Sequence, residues 1–379
     1  MEALRPETIE QLAEILRQSA SSGKRIILAG NSTKAGMAGP IREGETCIST
    51  ALLNRLRQYE PADLTVSVEA GMRWAEFSSI LAANRQMVPL DPPFASAATV
   101  GGVLAANTSG PRRRLYGTAR DLVIGMTFAT LDGKLVESGG MVVKNVAGLD
   151  MGKLLIGSFG TLAAIATVNF KLWPMPNRRR TFVLRFGSLE AAIGKRDAIL
   201  SSAMQPAAID LLNPDGAARI GEEGWTLLIE AGGSDSLIER YSRELPDDDA
   251  VEGDAGESLW QRVREFIPGY LSAHPEATIV RASTTLAGLP SLMTGVGGEM
   301  LARAGSGVCY ACFPSPEEAD RWLTTGLRAV IEFAPQSWRS ANSAALWPQP
   351  DPGFAMMEKV KRMFDPGLLL NHGRLYGRI

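Results

Sequence analysis

Histidine is almost missing from this chain: its 379 residues include two, His274 and His372. A His-rich metal centre or a histidine relay is therefore excluded at the outset, and no metal site is expected. Cysteine is as scarce, with three residues, Cys47, Cys309 and Cys312. Three thiols cannot build a disulfide framework, nor supply the four thiolates of an iron–sulfur cluster. No charge of one sign prevails: 39 Lys and Arg stand against 41 Asp and Glu, for a net charge of −2. That balance gives no electrostatic footprint for nucleic acid. Long apolar runs are missing too. The longest, residues 97–106, contains a Gly pair and stops at Asn107, far short of the ~20 residues of a membrane span. The opening MEALRPETIEQ carries acids where a signal peptide needs an apolar core. The expected location is cytoplasmic, with at most peripheral membrane association.

Glycine is what the chain has in excess, 39 of 379 residues against an ordinary share of roughly 7%. Eighteen of these glycines precede residue 161, several of them clustered in loops. At 45% hydrophobic and 21% charged residues the chain is globular, and its length suits two domains.

Residues 8–18 place Ile9, Leu12, Ile15 and Leu16 at helical spacing, predicting an amphipathic opening helix. RIILA, residues 25–29, is a short apolar strand running into a Gly/Ser/Thr loop at 30–39. A strand at 64–70, a helix at 74–85 and a Pro-rich loop at 89–93 lead to TVGGVLAANTSG, residues 99–110. Asp132-Gly133 between two alternating runs predicts a hairpin, and LAAIATVNFKL, residues 162–172, a further strand. WPMPNRRR then breaks the pattern, which puts a domain boundary at about Asn177. The second half alternates strands and helices without phosphate-loop spacing, as expected of an α+β domain with an antiparallel sheet. Its acidic stretch at 246–257 reads as a loop.

Three Gly-rich segments can carry chemistry. In GNSTKAGMAG, residues 30–39, small side chains leave backbone N–H groups uncovered and Ser32 and Thr33 add hydroxyls, a combination that cradles a phosphate or pyrophosphate. It is neither a G-x-G-x-x-G fingerprint nor a P-loop, and a plain surface loop is the alternative. Residues 99–110 join an apolar flank to bare backbone, suiting a ligand that is part aromatic and part phosphate; close packing of a helix start is the alternative. In residues 139–174, Gly157, Gly160, Ala163 and Ala164 let a strand approach a flat ring.

The G-x-S-T-K loop, the run T-x-G-G-x-x-A-x-N-x-S-G and the later G-S-x-G-T-L resemble the PCMH-type FAD-binding domain of the vanillyl-alcohol-oxidase family. Within it, KNVAGLD at residues 144–150 is similar to the signature of the bacterial glycolate oxidase FAD-binding subunit, the E subunit. FDPGLLLNHGR resembles the family's closing return to the flavin domain. The resemblance implies an α+β fold. A PCMH-type FAD-binding domain (a small parallel α/β part and a larger mixed or antiparallel sheet part) would occupy 1–176, an α+β cap with an antiparallel sheet 177–363, and a returning segment 364–379.

Carried over residue by residue, the resemblance implies that Gly30, Asn31, Ser32, Thr33 and Lys34 hold the pyrophosphate. Thr99, Gly101, Gly102, Asn107, Ser109 and Gly110 would line flavin and phosphates, with Leu90, Asp91 and Pro92 adjacent. Gly160 and Ile165 would face the adenosine side and Asn371 the flavin edge. The chain departs from the family at Leu149, Phe159 and His372, none of which removes a phosphate donor. No His precedes residue 274 and Cys47 lies outside the matching loops, so the FAD is expected to be non-covalent. The implied function is oxidation of glycolate, a small 2-hydroxy acid, directly or by electron relay. The implied partners are a second FAD-linked flavoprotein subunit and an iron–sulfur subunit. A self-sufficient FAD enzyme acting on another hydroxy acid or alcohol, and a structural subunit without active flavin, are the alternatives.

Hydroxy-acid oxidation needs a base within hydrogen-bond reach, and by position His372 is the one candidate. Cys309 and Cys312, spaced C-x-x-C on a strand, point to opposite faces and read as buried thiols. The triplets Arg112 to Arg114 and Arg178 to Arg180 read first as solvated loops, with carboxylate docking as the alternative.

Overall fold

A computed structural model describes residues 3–41, 44–141, 150–246, 249–294, 297–323 and 328–379. The chain divides into two units, one of Met1–Ser109, Gly117–Met175 and Arg339–Ile379, the other of Gly110–Tyr116 and Pro176–Trp338. One of the crossings between units, from Met175 to Pro176, lies within the Pro- and Arg-rich stretch. Two further features were not read from the sequence. The return clusters with the first unit from Arg339 onward, not from 364, and residues 110–116 belong with the second unit.

The first unit opens with helix α1 (Ile9–Ser21), whose N-cap Thr8 accepts from the Gln11 N–H through its hydroxyl. Its stripe of Leu12, Ala13 and Leu16 is buried against Ile26, Ile48, Ala164 and Leu370. Strands β1 (Ile26–Ala29) and β2 (Thr46–Ser49) pair in parallel. Strands β3 (Leu56–Glu60), β4 (Thr65–Glu69), β6 (Val123–Ala129), β7 (Leu135–Gly139) and β8 (Ala164–Lys171) form a separate sheet of order β3-β4-β8-β6-β7, antiparallel at every pairing. The short β5 (Gln86–Met87) and β9 (Trp173–Pro174) pair beside it. Asp132-Gly133 makes the expected hairpin: Gly133 sits at φ +80°, where a side chain would strain the turn. Helix α2 (Trp74–Ala83) packs Trp74 and Phe77 edge-on and tilted around Phe170, with ring centroids 5.6–6.2 Å apart. Phe77 and Phe170 are fully buried, each contributing about 1.5–3 kcal/mol of apolar burial. This core carries the floor from which the Gly-rich loops project.

The second unit is one eight-stranded antiparallel sheet with helices. Its strands are β10 (Arg178–Phe186), β11 (Ala208–Leu212), β12 (Trp225–Gly233), β13 (Val251–Glu252), β14 (Thr278–Ser283), β15 (Glu299–Arg303), β16 (Val308–Phe313) and β17 (Ala329–Phe333), in the order β13-β10-β12-β11-β15-β16-β14-β17. Both fold-class expectations, the split flavin-type domain and the antiparallel cap, agree with this architecture.

Three local expectations are corrected here. Arg178 to Arg180 are not a solvated loop but the start of β10, where Arg178 grips Glu252 through two bonds of 2.8 and 2.9 Å. Arg112 is buried and forks onto buried Glu230 at 2.9 and 3.2 Å. Part of the supposed acidic loop is the first turn of a helix, Gly253–Arg264, because Asp and Glu suit the positive end of the helix dipole. Cys309 and Cys312 are buried on β16, as expected. Among the described residues no helix is long and apolar enough to cross a membrane.

Candidate functional site

The first unit holds a cleft with a cavity volume of about 170 Å³. One wall is β1 and the loop that follows it. The strand is apolar and short, so the chain leaves the sheet at Gly30. The loop folds back in two turns, Ala35 N–H to Ser32 O at 3.0 Å and Met37 N–H to Lys34 O at 3.1 Å. Ser32 takes a left-handed backbone, φ +58°, costly for a residue with a Cβ and typical of positions fixed by their surroundings. Among the described residues none accepts a hydrogen bond from the N–H groups of Asn31, Ser32 or Thr33. The Asn31 side chain donates to Ala97 O at 2.9 Å, tying this loop to the next wall.

That second wall is helix α3 (Val100–Ala105), capped by Thr99, whose hydroxyl accepts from Gly102 N–H. A Cβ on Gly30 would lie 2.2 Å from the Thr99 Oγ1. One on Gly101 would lie 2.8 Å from the Ala70 Cβ, because its N–H bonds to Ala70 O at 2.7 Å. Gly101 therefore serves close packing at the start of α3, and both glycines of the pair line the cleft.

The third wall comes from the residues around Gly160, Ala163 and Ile165 and from the returning tail. Asn371, 3% exposed, lies across it, bonding to Leu28 and donating to Phe159 O at 2.9 Å. The tail is held from below by Lys361. This buried ammonium donates to Thr161 O, Leu370 O and the Asp365 carboxylate at 2.6–2.8 Å, and burial pushes its pKa down. Asp365 in turn accepts from the Leu369 and Leu370 N–H groups.

Of the residues singled out in the sequence, Gly30, Asn31, Ser32, Thr33, Lys34, Thr99, Gly101, Gly102, Gly160, Ile165 and Asn371 come together around this cleft. Leu90, Asp91, Pro92, Asn107, Ser109 and Gly110 are not among its lining residues. Leu90 is core, fully buried. After α3 the chain turns at Asn107, φ +49°, and runs off toward Gly110, which belongs to the second unit. Residues 142–149, with most of the KNVAGLD signature and Leu149, lie outside the described residues. Sequence reading missed Ile27, Leu28, Thr50, Ala106 and Arg374 as lining residues. The only available signal for Arg374 was its position three residues after Asn371. His372 is not among the lining residues, and His274 stacks on Tyr270 at 4.5 Å in the second unit.

Uncovered N–H groups, the buried cations Lys34 and Arg374, and apolar walls of Ile27, Leu28, Ala105 and Ile165 fit an elongated ligand that is anionic in its middle and flat and apolar elsewhere. Gly30, Gly101 and Gly102 present bare backbone to the cleft, which fits a diphosphate. A family model described as an FAD binding domain matches residues 3–139. The chain carries a PCMH-type FAD-binding domain. Along its whole length the flavoprotein is 28% identical to glycolate oxidase subunit GlcE of Escherichia coli (strain K12), over 98% of each chain. It is 26% identical to glycolate oxidase subunit GlcD of Bacillus subtilis (strain 168) over 63% of this chain, which spans 53% of that protein. Its fold superposes on p-cresol methylhydroxylase with substrate bound at a TM-score of 0.77, with 14% identity, covering 99% of this chain and 88% of the other. That last likeness speaks for the vanillyl-alcohol-oxidase-like fold alone.

Proposed function

We propose that this FAD-dependent oxidoreductase is the FAD-binding subunit of a glycolate-oxidising complex, holding its FAD non-covalently in the cleft of the first unit. The observation that carries this reading is the match to GlcE from end to end, through both units and the returning tail. The coarser statement, a flavoprotein of hydroxy-acid oxidation, rests equally on the likeness to GlcD.

Bound FAD supplies a two-electron acceptor for alcohol oxidation. The chain's own residues supply the holding. The N–H groups of Asn31, Ser32 and Thr33 and the Lys34 ammonium would hold the diphosphate, and the apolar side chains of the cleft would exclude water from the flat rings. Asn371 fixes the wall on which they lie. Oxidising a 2-hydroxy acid also requires a group to take the hydroxyl proton. Neither His lines the cleft, which favours division of labour with a second flavoprotein subunit over a self-contained active site. With three cysteines in the chain, an iron–sulfur cluster receiving the electrons belongs to another subunit. The cytoplasm, or the inner face of a membrane reached through the complex, is the location that suits this role.

The test is the purified chain with glycolate and an artificial electron acceptor, alone and with its co-purifying partners. Turnover is expected only with partners. Brisk turnover by the chain alone overturns the shared mechanism and favours a self-sufficient enzyme. A colourless pure protein overturns flavin binding itself.

A further inference from the structure

Arg374 is 5% exposed and lines the cleft, yet among the described residues it has no carboxylate partner. Its guanidinium is spent on backbone carbonyls of the loop after β1. Nη1 donates to Ala35 O and Gly39 O, each at 3.2 Å, and Nη2 to Lys34 O at 3.1 Å. The plane lies over the Phe159 ring, 5.3 Å from its centroid. The loop answers in kind: the Gly39 N–H donates to Arg374 O at 3.0 Å, in a contact so close that a Cβ on Gly39 would meet Gly373 O at 2.2 Å. A second buried arginine, Arg339, donates to Ala35 O and Ala38 O of the same loop at 3.4 and 3.1 Å. Burial and, next, the charge of Arg339 hold Arg374 down at a pKa of about 10, so it remains a cation at neutral pH and feels its neighbour.

A buried cation facing only carbonyls is costly unless an anion completes it. The planar arginine fork reaches three carbonyls of this loop at once, spread over residues 34–39. Those bonds anchor residues 34–39, and the turn bond from Ala35 N–H to Ser32 O ties residues 31–33 to that anchor. We propose that Arg374 is a positioning residue for the diphosphate: by anchoring the carbonyls of Lys34, Ala35 and Gly39 it fixes the turn on which the N–H groups of Asn31, Ser32 and Thr33 stand available to the cleft, and its own charge is balanced when the diphosphate is bound. This rests on the reading that the residue 30–34 loop takes the cofactor's diphosphate.

The experiment compares the wild-type chain with Arg374→Lys and Arg374→Gln, each freed of flavin and titrated with FAD and with ADP, while melting is followed with and without ligand. In the wild type, ADP should compete with FAD and raise the melting temperature. Arg374→Gln should weaken both ligands by about tenfold or more and shrink the melting shift that ADP produces. Arg374→Lys, which keeps the charge but loses the fork, should fall between them. A merely structural arginine would lower the melting temperature of the free and ligand-bound protein alike and leave the ADP-induced shift unchanged; that result overturns the proposal. Should Arg374→Gln not fold, an unchanged ADP shift in Arg374→Lys overturns it equally. Failure of ADP to compete in the wild type strikes instead at the assignment of the loop.

Discussion

The Asn371 side chain treats Leu28 as a neighbouring strand would: its Oδ1 accepts from the Leu28 N–H at 2.8 Å while its Nδ2 donates to the Leu28 carbonyl at 2.9 Å. Around it the tail backbone continues the pairing, with Ile26 N–H donating to Leu369 O at 2.8 Å and Asn371 N–H to Ile26 O at 3.0 Å. Strand β1, which launches the Gly30 loop, is thus braced on this side by the end of the chain. The same amide reaches Phe159 O, so one side chain joins two cleft walls.

Asn371→Ala removes those bonds and leaves partly buried backbone groups of Leu28 and Phe159 without partners. Stability should fall by on the order of 2–4 kcal/mol, and bound flavin should leave more readily. Urea unfolding followed by far-UV circular dichroism, with flavin release followed by fluorescence, checks both. Asn371→Asp, which keeps an acceptor for Leu28 N–H but loses the donors, should recover only part. Unchanged stability in Asn371→Ala would show that the side-chain bonds to Leu28 and Phe159 do not brace the strand.

The glycine at position 30 is tested more directly. A Cβ there would lie 2.2 Å from Oγ1 of Thr99, which is 2% exposed and has no room to swing away. Gly30→Ala should therefore purify with several-fold less flavin per chain than the wild type, as read from the visible absorbance. Gly30→Ala combined with Thr99→Ala removes the obstructing atoms at a cost of about 1 kcal/mol for the lost helix cap, and should regain much of the flavin. Equal flavin loss in the single and double variants would place the damage elsewhere in the loop.

What was legible in the sequence was mostly local. An apolar run ending in Gly, Ser and Thr announces β1 and its loop, and Asp132-Gly133 announces its hairpin, because turn chemistry is written in adjacent residues. Asn371 was legible only through resemblance. Arg374 was not legible at all: it acts through carbonyls up to 340 positions away in the chain, and neither periodicity nor composition encodes such a contact. Arg112 and Glu230 failed for the same reason, 118 positions apart, so a buried ion pair passed for a solvated loop. Leu90, Asp91, Pro92, Asn107, Ser109 and Gly110 show the converse: their motif matches, but they are not among the residues lining this cleft.

The cysteines give a prediction about reactivity and pH. Burial pushes the Cys309 thiol up to about 12 from an ordinary value of 9.0 and raises Cys312 well above it. With a disulfide-exchange reagent at pH 8, native protein should expose only the half-buried Cys47, and all three thiols should react in denaturant. A thiol pKa raised by folding means that the unfolded chain gives up its proton first. The contribution of Cys309 is then complete below about pH 9 and declines as pH climbs toward 12. Cys309→Ala and Cys312→Ala should flatten that alkaline loss of stability. Rapid labelling of two or more thiols in the native state would refute the buried placement.

The attachment of the flavin can be decided with a single precipitation. Covalent attachment would need a nucleophilic side chain such as His or Cys against the ring system, and the residues lining the cleft include neither. Cys47 sits on β2 opposite Ile27 without lining the cleft, and His372 is buried outside its lining. On the proposed reading the FAD is held by backbone donors, cations and apolar walls, all of which acid unfolding removes together. Precipitating the yellow protein with trichloroacetic acid should give a colourless pellet and release the full complement of flavin, as FAD, into the supernatant. A pellet that stays yellow after washing in denaturant would mean a covalent bond, and peptide mapping of that pellet would identify the residue that forms it.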